Sequence, residues 1–279
     1  MKKILIAGCG YVGNELGERL SSKGHKVWGI RRNTKFISES IQPMSADLSK
    51  IETLRVLPET IDYVFYMPSP GLRNEITYKN AFLKGTKNLV QCMEEKKYNL
   101  KRFFFISSTS VYAQHSGEWV DENSITKPKS LTGKIILDAE KYLLNTPFKT
   151  TIIRFSGIYG PSRKGFLNKM INEGKTFTSN RFTNRIHRDD CANVLIHLMN
   201  SQNCEDIYLG SDDNPADLSE LANWIMEKKG LRNQNLEYLT KIKFTKTKSN
   251  KRCSNKKLIK SGYRFLFPTF REGYNSLIE

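Results

Sequence analysis

Near its start the chain runs Lys2-Lys3-Ile4-Leu5-Ile6-Ala7 straight into Gly8-Cys9-Gly10-Tyr11-Val12-Gly13. The apolar run reads as a buried strand, and the residues after the glycines, Asn14–Ser22, carry Leu16 and Leu20 at helical spacing. A G-x-G-x-x-G between a strand and a helix has a physical reason at each glycine. Gly8 makes the tight turn, Gly10 lets the backbone approach a pyrophosphate, and Gly13 lets the helix pack close to the strand. Tyr11 and Val12 complete the loop, and the phosphate rests on the helix N-terminus. A merely structural turn is the competing reading; the setting after a first strand favours a dinucleotide.

The end of the second strand decides which dinucleotide is expected. An NAD site uses Asp or Glu there to hold the adenosine ribose. This chain has Lys26-Val27-Trp28-Gly29-Ile30 followed by Arg31-Arg32-Asn33, and no acid between Glu18 and Glu39. Two permanently charged guanidiniums suit a 2′-phosphate, so the sequence predicts NADP in preference to NAD. Ordinary solvated charges are the plain alternative.

The pattern continues with strands at Asp62–Met67, Arg102–Ser107 and Thr150–Arg154, and helices at Asn74–Lys97 and Leu131–Asn145. Continuous apolar strands alternating with amphipathic helices predict an α/β protein, a doubly wound parallel sheet of the Rossmann type. After about Gly157 the pattern changes, with Gly, Pro and Arg clustered at Gly157–Gly165 and helices at Asp189–Asn200 and Leu218–Lys229. The expected division is a dinucleotide-binding domain over 1–157 and a smaller, mainly substrate-binding lobe over 158–279. Part of that lobe, about 186–210, is expected to return to the first domain.

Composition narrows the class. A chain of 279 residues with 38% hydrophobic residues can build a large core, which excludes a disordered chain or a disulfide-stapled miniprotein. No stretch approaches the ~18 apolar residues of a membrane helix, and the N-terminal run enters the glycines too soon for a signal peptide. Cys9, Cys92, Cys191, Cys204 and Cys253 are scattered and odd in number, so a reduced, cytoplasmic chain without a zinc site is expected. The four histidines are too dispersed for a metal. The formal charge is +17, from 45 Lys and Arg against 28 Asp and Glu. Basic residues with Phe244, Tyr263 and Phe265 over Lys241–Arg264 suit a diphosphate-bearing ligand or a soluble surface better than nucleic acid. Asp189 and Asp190 read as helix N-terminal residues favoured by the dipole.

Several further motifs, in order, resemble the extended short-chain dehydrogenases/reductases, the NAD(P)-dependent epimerase/dehydratase group. They are Ser45-Ala46-Asp47-Leu48, then Phe105-Ile106-Ser107-Ser108-Thr109-Ser110-Val111-Tyr112, then Ile153-Arg154-Phe155-Ser156-Gly157-Ile158-Tyr159-Gly160-Pro161. Arg185-Ile186-His187-Arg188-Asp189-Asp190 and Tyr208-Leu209-Gly210-Ser211 follow. The resemblance implies that Asp47 contacts adenine and that Met67 and Pro68 line the cofactor. It implies that Ser108 holds the reacting oxygen, and that Arg154 and His187 lie on the substrate side. It also implies a small-molecule substrate such as a nucleotide sugar, and leaves a homodimer open.

One departure matters. The family transfers protons with Tyr-x-x-x-Lys, written Y-G-x-S-K-x-x-A-E. The matching stretch is Thr132-Gly133-Lys134-Ile135-Ile136-Leu137-Asp138-Ala139-Glu140, anchored by Gly133 and Ala139-Glu140. Thr132 stands for the Tyr and Ile136 for the Lys, and none of the twelve tyrosines has Lys four residues later. Tyr112 and Lys134 are the nearest substitutes, with Glu140 the structural acid of its helix. Two readings remain: an atypical enzyme of the group, or a dinucleotide-binding sensor without hydride chemistry.

Overall fold

The computed structural model describes residues 1–168, 181–230 and 249–278. Contacts divide it into two compact units. The first comprises Met1–Tyr112, Ile125–Arg154 and Cys191–Tyr208; the second comprises Ala113–Ser124, Phe155–Asp190 and Leu209–Glu279.

A seven-stranded sheet organises the fold. Its strands are β1 (Lys3–Ala7), β2 (Lys26–Arg31), β3 (Gln42–Ser45), β4 (Tyr63–Tyr66), β5 (Arg102–Ser108), β7 (Thr150–Phe155) and β11 (Ile207–Gly210). They lie in the order β11-β7-β5-β4-β1-β2-β3, and β3, β2, β1, β4 and β5 pair in parallel. This is the predicted doubly wound, Rossmann-type α/β sheet with flanking helices. Strand order reverses between β1 and β4, the switch point where such sheets bind ligands beyond the strands' carboxyl ends. The glycine loop follows β1 there.

Aromatic residues fill the centre. Phe65 of β4 stacks on Phe104 of β5 at 4.8 Å, and Tyr66 stacks on Phe105 at 5.9 Å. All six residues of β7 are buried. Four helices of the first unit concern the site: α1 (Tyr11–Ser22), α2 (Glu75–Tyr78), α3 (Gly85–Glu95) and α4 (Leu131–Leu144). The single helix expected over 74–97 is broken, because a π-helical turn over Lys79–Lys84 separates α2 from α3. It precedes Gly85, where a β-carbon would lie 3.1 Å from the Asn80 carbonyl and closer still to the Tyr66 hydroxyl.

In the second unit β6 (Glu118–Val120) pairs in parallel with β13 (Lys251–Cys253), and β8 (Gly157–Tyr159) with β10 (Arg185–His187). The antiparallel pair β9 (Phe182–Thr183) and β12 (Ala216–Asp217) completes it. Tyr159 stacks on Tyr274 at 4.4 Å within a cluster that includes Leu221, Ile225 and Phe270. All five cysteines are buried free thiols. Among the described residues no helix is long and apolar enough to cross a membrane.

Candidate cofactor and catalytic site

The three loop glycines differ in their surroundings. Gly8 has φ +88°, and a β-carbon there would lie 2.8 Å from Pro68 backbone atoms. Only glycine suits that turn. At Gly13 a β-carbon would press on Ile6 at 3.1 Å and on the Met67 sulfur at 3.3 Å, so this glycine sets how closely α1 meets the sheet. Met67 and Pro68 therefore pack directly on the loop. Gly10 is the opposite case: the nearest atom to its β-carbon would be the Gly8 carbonyl oxygen at 3.8 Å. Packing leaves this face open, and no side chain caps the N-terminus of α1, which starts after Gly10. An open glycine face before an uncapped helix start is the shape a pyrophosphate requires, so these residues fit a dinucleotide.

The loop hangs on the second strand. The Ile30 carbonyl accepts the amides of Gly8 at 3.1 Å and Cys9 at 2.9 Å. Arg31 is the last residue of β2, and exposed Arg32 follows. Asp47, just past β3, accepts the Ser49 amide at 3.0 Å and the Ser49 hydroxyl at 2.8 Å. Partial burial raises its pKa, but the Ser49 bonds and the nearby charges of Arg32 and Lys50 outweigh this and hold the carboxyl below its usual range.

Ser108 ends β5, and its Oγ accepts the Ser110 amide at 3.1 Å. A β-carbon on Gly133 would lie 2.6 Å from the Ser110 carbonyl. That glycine brings the first turn of α4, with half-buried Thr132, against the strand end that carries Ser108. One turn on, Ile136 is buried and Lys134 is exposed.

Beneath this lies a polar network. Arg154 of β7 donates to both carboxylate oxygens of Glu140, including Nη2 to Oε2 at 2.6 Å. Both side chains are at most 5% exposed. Ser107 donates its hydroxyl to the same carboxylate. Nη1 of Arg154 donates to the Tyr112 phenol at 3.0 Å, and the guanidinium lies over that ring at 5.2 Å. Burial disfavours the Arg154 charge, but Glu140 and Tyr112 more than offset this and push its pKa above the ordinary value. The network joins Arg154, Tyr112 and Glu140 in one buried cluster. Glu140 is legible in the sequence as the acid of its helix; the part of Ser107 is not, because a serine among four hydroxyl residues carries no sign of its direction.

His187 falls in the second unit, buried between aromatic rings, with Tyr159 edge-on at 5.3 Å and Phe267 at 4.0 Å. Its Nδ1 accepts the Asp189 amide at 3.3 Å. Asp190, read from sequence as a helix-start acid, does more: it accepts the Tyr263 hydroxyl at 2.7 Å and the amides of Leu266 and Phe267. It pins the segment 263–267. Tyr263 thus has a structural use, and Lys241–Lys248 of the basic stretch lies outside the described residues.

The comparisons with known proteins agree with this geometry. The profile of the NAD dependent epimerase/dehydratase family matches residues 4–210. The chain belongs to this family. Protein YeeZ of Escherichia coli K12 is 26% identical over 224 residues, covering 75% of this chain and 77% of YeeZ. A solved Methylobacillus flagellatus protein described as an NAD-dependent epimerase/dehydratase is 32% identical. It has a TM-score of 0.79 and coverage of 99% of this chain and 97% of its own. The UDP-glucose 4-epimerase of Thermotoga maritima, solved with UDP-glucose, reaches a TM-score of 0.80 with 99% coverage of both chains. Its identity is 17%, so that likeness is one of fold.

Proposed function

We propose that this epimerase/dehydratase-family protein is an enzyme that uses NADP in preference to NAD and acts on a nucleotide sugar. The observation that carries the reading is the open face of Gly10 beside a second strand that ends in Arg31, followed by Arg32, rather than in an acid. When bound, the nicotinamide supplies a two-electron acceptor and donor for a carbinol carbon. Gly8, Gly10 and Gly13 would hold the pyrophosphate, Arg31 and Arg32 the 2′-phosphate, and Asp47, Met67 and Pro68 the adenosine side. The substrate class rests on the fold shared with the UDP-glucose-bound epimerase; for His187 the support is its family position.

Ser108 would hold the reacting oxygen. Its Oγ already accepts an amide, which leaves the hydroxyl proton to be donated to a substrate oxygen. We assign proton transfer to Tyr112, because the positive charge of Arg154, donating Nη1–H to the phenol oxygen at 3.0 Å, lies where an oxyanion would form during the transfer. Glu140 offsets much of that charge, so activation is weaker than in the usual dyad. Arg154 then acts as a positioning residue.

Cofactor choice is tested by titrating NADP and NAD at one salt concentration. NADP should bind more tightly, and Arg31→Ala with Arg32→Ala should weaken NADP selectively by about 1.5–3 kcal/mol, the range of a charged hydrogen bond. Equal affinities, or tighter NAD, remove the preference. The proton-transfer assignment predicts that Tyr112→Phe lowers turnover of a nucleotide sugar by roughly 10²–10⁴-fold, and that Thr132→Tyr with Ile136→Lys recovers it in that background. Turnover unchanged in Tyr112→Phe would exclude Tyr112.

A further inference from the structure

The loop after β2 contains an exposed aromatic residue with a specific neighbour. Phe36 is 61% exposed, at the end of a single 3-10 turn over Thr34–Phe36. The Arg31 guanidinium carbon lies 5.0 Å from the centre of its ring. The Arg31 guanidinium makes no hydrogen bond or ion pair among the described residues. A cation–π contact holds a guanidinium through the ring face and uses none of its N–H groups in a conventional hydrogen bond.

The turn that carries Phe36 is fixed to the phosphate loop. Asn14, in the first turn of α1, donates its Nδ2 to the Phe36 carbonyl at 2.6 Å. Its Oδ1 accepts the Ser38 amide at 3.4 Å and the Cys9 thiol at 3.4 Å. The Asn33 side chain accepts the Lys35 amide at 3.1 Å and starts the turn. Arg32 differs from Arg31: it lies just beyond β2, is exposed, and is within electrostatic range of Asp47.

We infer that Phe36 is a specificity-determining residue that holds the Arg31 guanidinium flat, with its N–H edge presented to the 2′-phosphate of NADP. This rests on the cofactor reading above and extends it: Arg31 rather than Arg32 makes the main phosphate contact, and Asn14 ties that contact to the pyrophosphate loop. An arginine already held in one orientation loses less side-chain freedom on binding than a solvated one.

The test measures NADP and NAD dissociation constants for Phe36→Leu, Phe36→Trp, Arg31→Ala and Arg32→Ala. Phe36 is on the surface, so its variants should stay folded, which circular dichroism checks. Phe36→Leu keeps an apolar contact but removes the π face. It should weaken NADP roughly three- to tenfold, the scale of a cation–π pair, without changing NAD. Phe36→Trp should restore NADP binding, and Arg31→Ala should cost more selectivity than Arg32→Ala. If Arg31→Ala reduces NADP selectivity while Phe36→Leu changes nothing, the aromatic platform is overturned and the cofactor reading stands. If Phe36→Leu weakens NAD and NADP equally, Phe36 packs on the adenosine they share, and the inference is likewise overturned. If neither arginine variant alters selectivity, the cofactor reading falls first and takes this inference with it.

Discussion

Gly10→Val should yield a folded protein that retains neither NADP nor NAD. The backbone there has φ −110° and ψ −140°, outside the left-handed region that glycine alone adopts readily. Among the described residues, and apart from its chain neighbours, no atom lies closer than 3.8 Å to the new β-carbon, so folding has little to lose. The valine methyls would instead fill the space where the pyrophosphate meets the helix start. Losing two or more charge-assisted hydrogen bonds at ~1.5–3 kcal/mol each predicts an affinity loss of at least about 100-fold. Calorimetric titration paired with a thermal melt checks both halves. Gly8→Ala is the contrast, because its φ and the Pro68 backbone oppose any side chain; that change should lower the melting temperature itself. A Gly10→Val protein that melts normally and binds normally would show that the loop is no phosphate cradle.

Glu140→Ala should be the most destabilising single change in the site. It strips a buried guanidinium of its carboxylate and takes the acceptor from Ser107. Removing one member of a buried ion pair commonly costs about 3–5 kcal/mol, because the remaining charge stays desolvated. Arg154 cannot escape by losing its proton, because a guanidinium stays protonated in a folded protein. A domain holds only ~5–15 kcal/mol in total, so the denaturation midpoint should fall sharply. Replacing both partners with apolar residues, Glu140→Leu with Arg154→Met, should cost less than Glu140→Ala alone. A midpoint shift under 1 kcal/mol for Glu140→Ala would mean that the pair is not as dry as its exposure indicates.

Much of this was legible in the chain, for reasons that differ by element. Lys3–Ala7 is legible because its four-residue apolar run, Ile4–Ala7, followed by glycine has few other uses. The strands Arg102–Ser108 and Thr150–Phe155 are mostly or wholly buried, and their apolar stretches Phe103–Ile106 and Ile152–Ile153 show no polar alternation. Strand β3, Gln-Pro-Met-Ser, escaped notice: it is the sheet's edge and buries only Met44, so it has neither alternation nor a run to detect. The π-helical turn at Lys79–Lys84 is invisible to periodicity, since one widened turn shifts the pattern by a single residue. In the candidate site, the glycine loop is legible through its spacing. The contacts of Asn14 and Phe36 are not, because they depend on which loop folds back on the first turn of α1.

Strand β11 closes the sheet outside β7, yet it lies more than fifty residues downstream, beginning at Ile207. During synthesis the carbonyls and amides on that flank of Thr150–Phe155 have no native neighbour until the later segment is made. At the ~5–20 residues per second typical of ribosomes, the gap lasts several seconds. Throughout that time an apolar strand offers an unpaired edge, the kind of surface on which nascent chains join to one another. Cells that make this protein have reason to keep that edge shielded, and high-level recombinant expression is where the shielding would first run short.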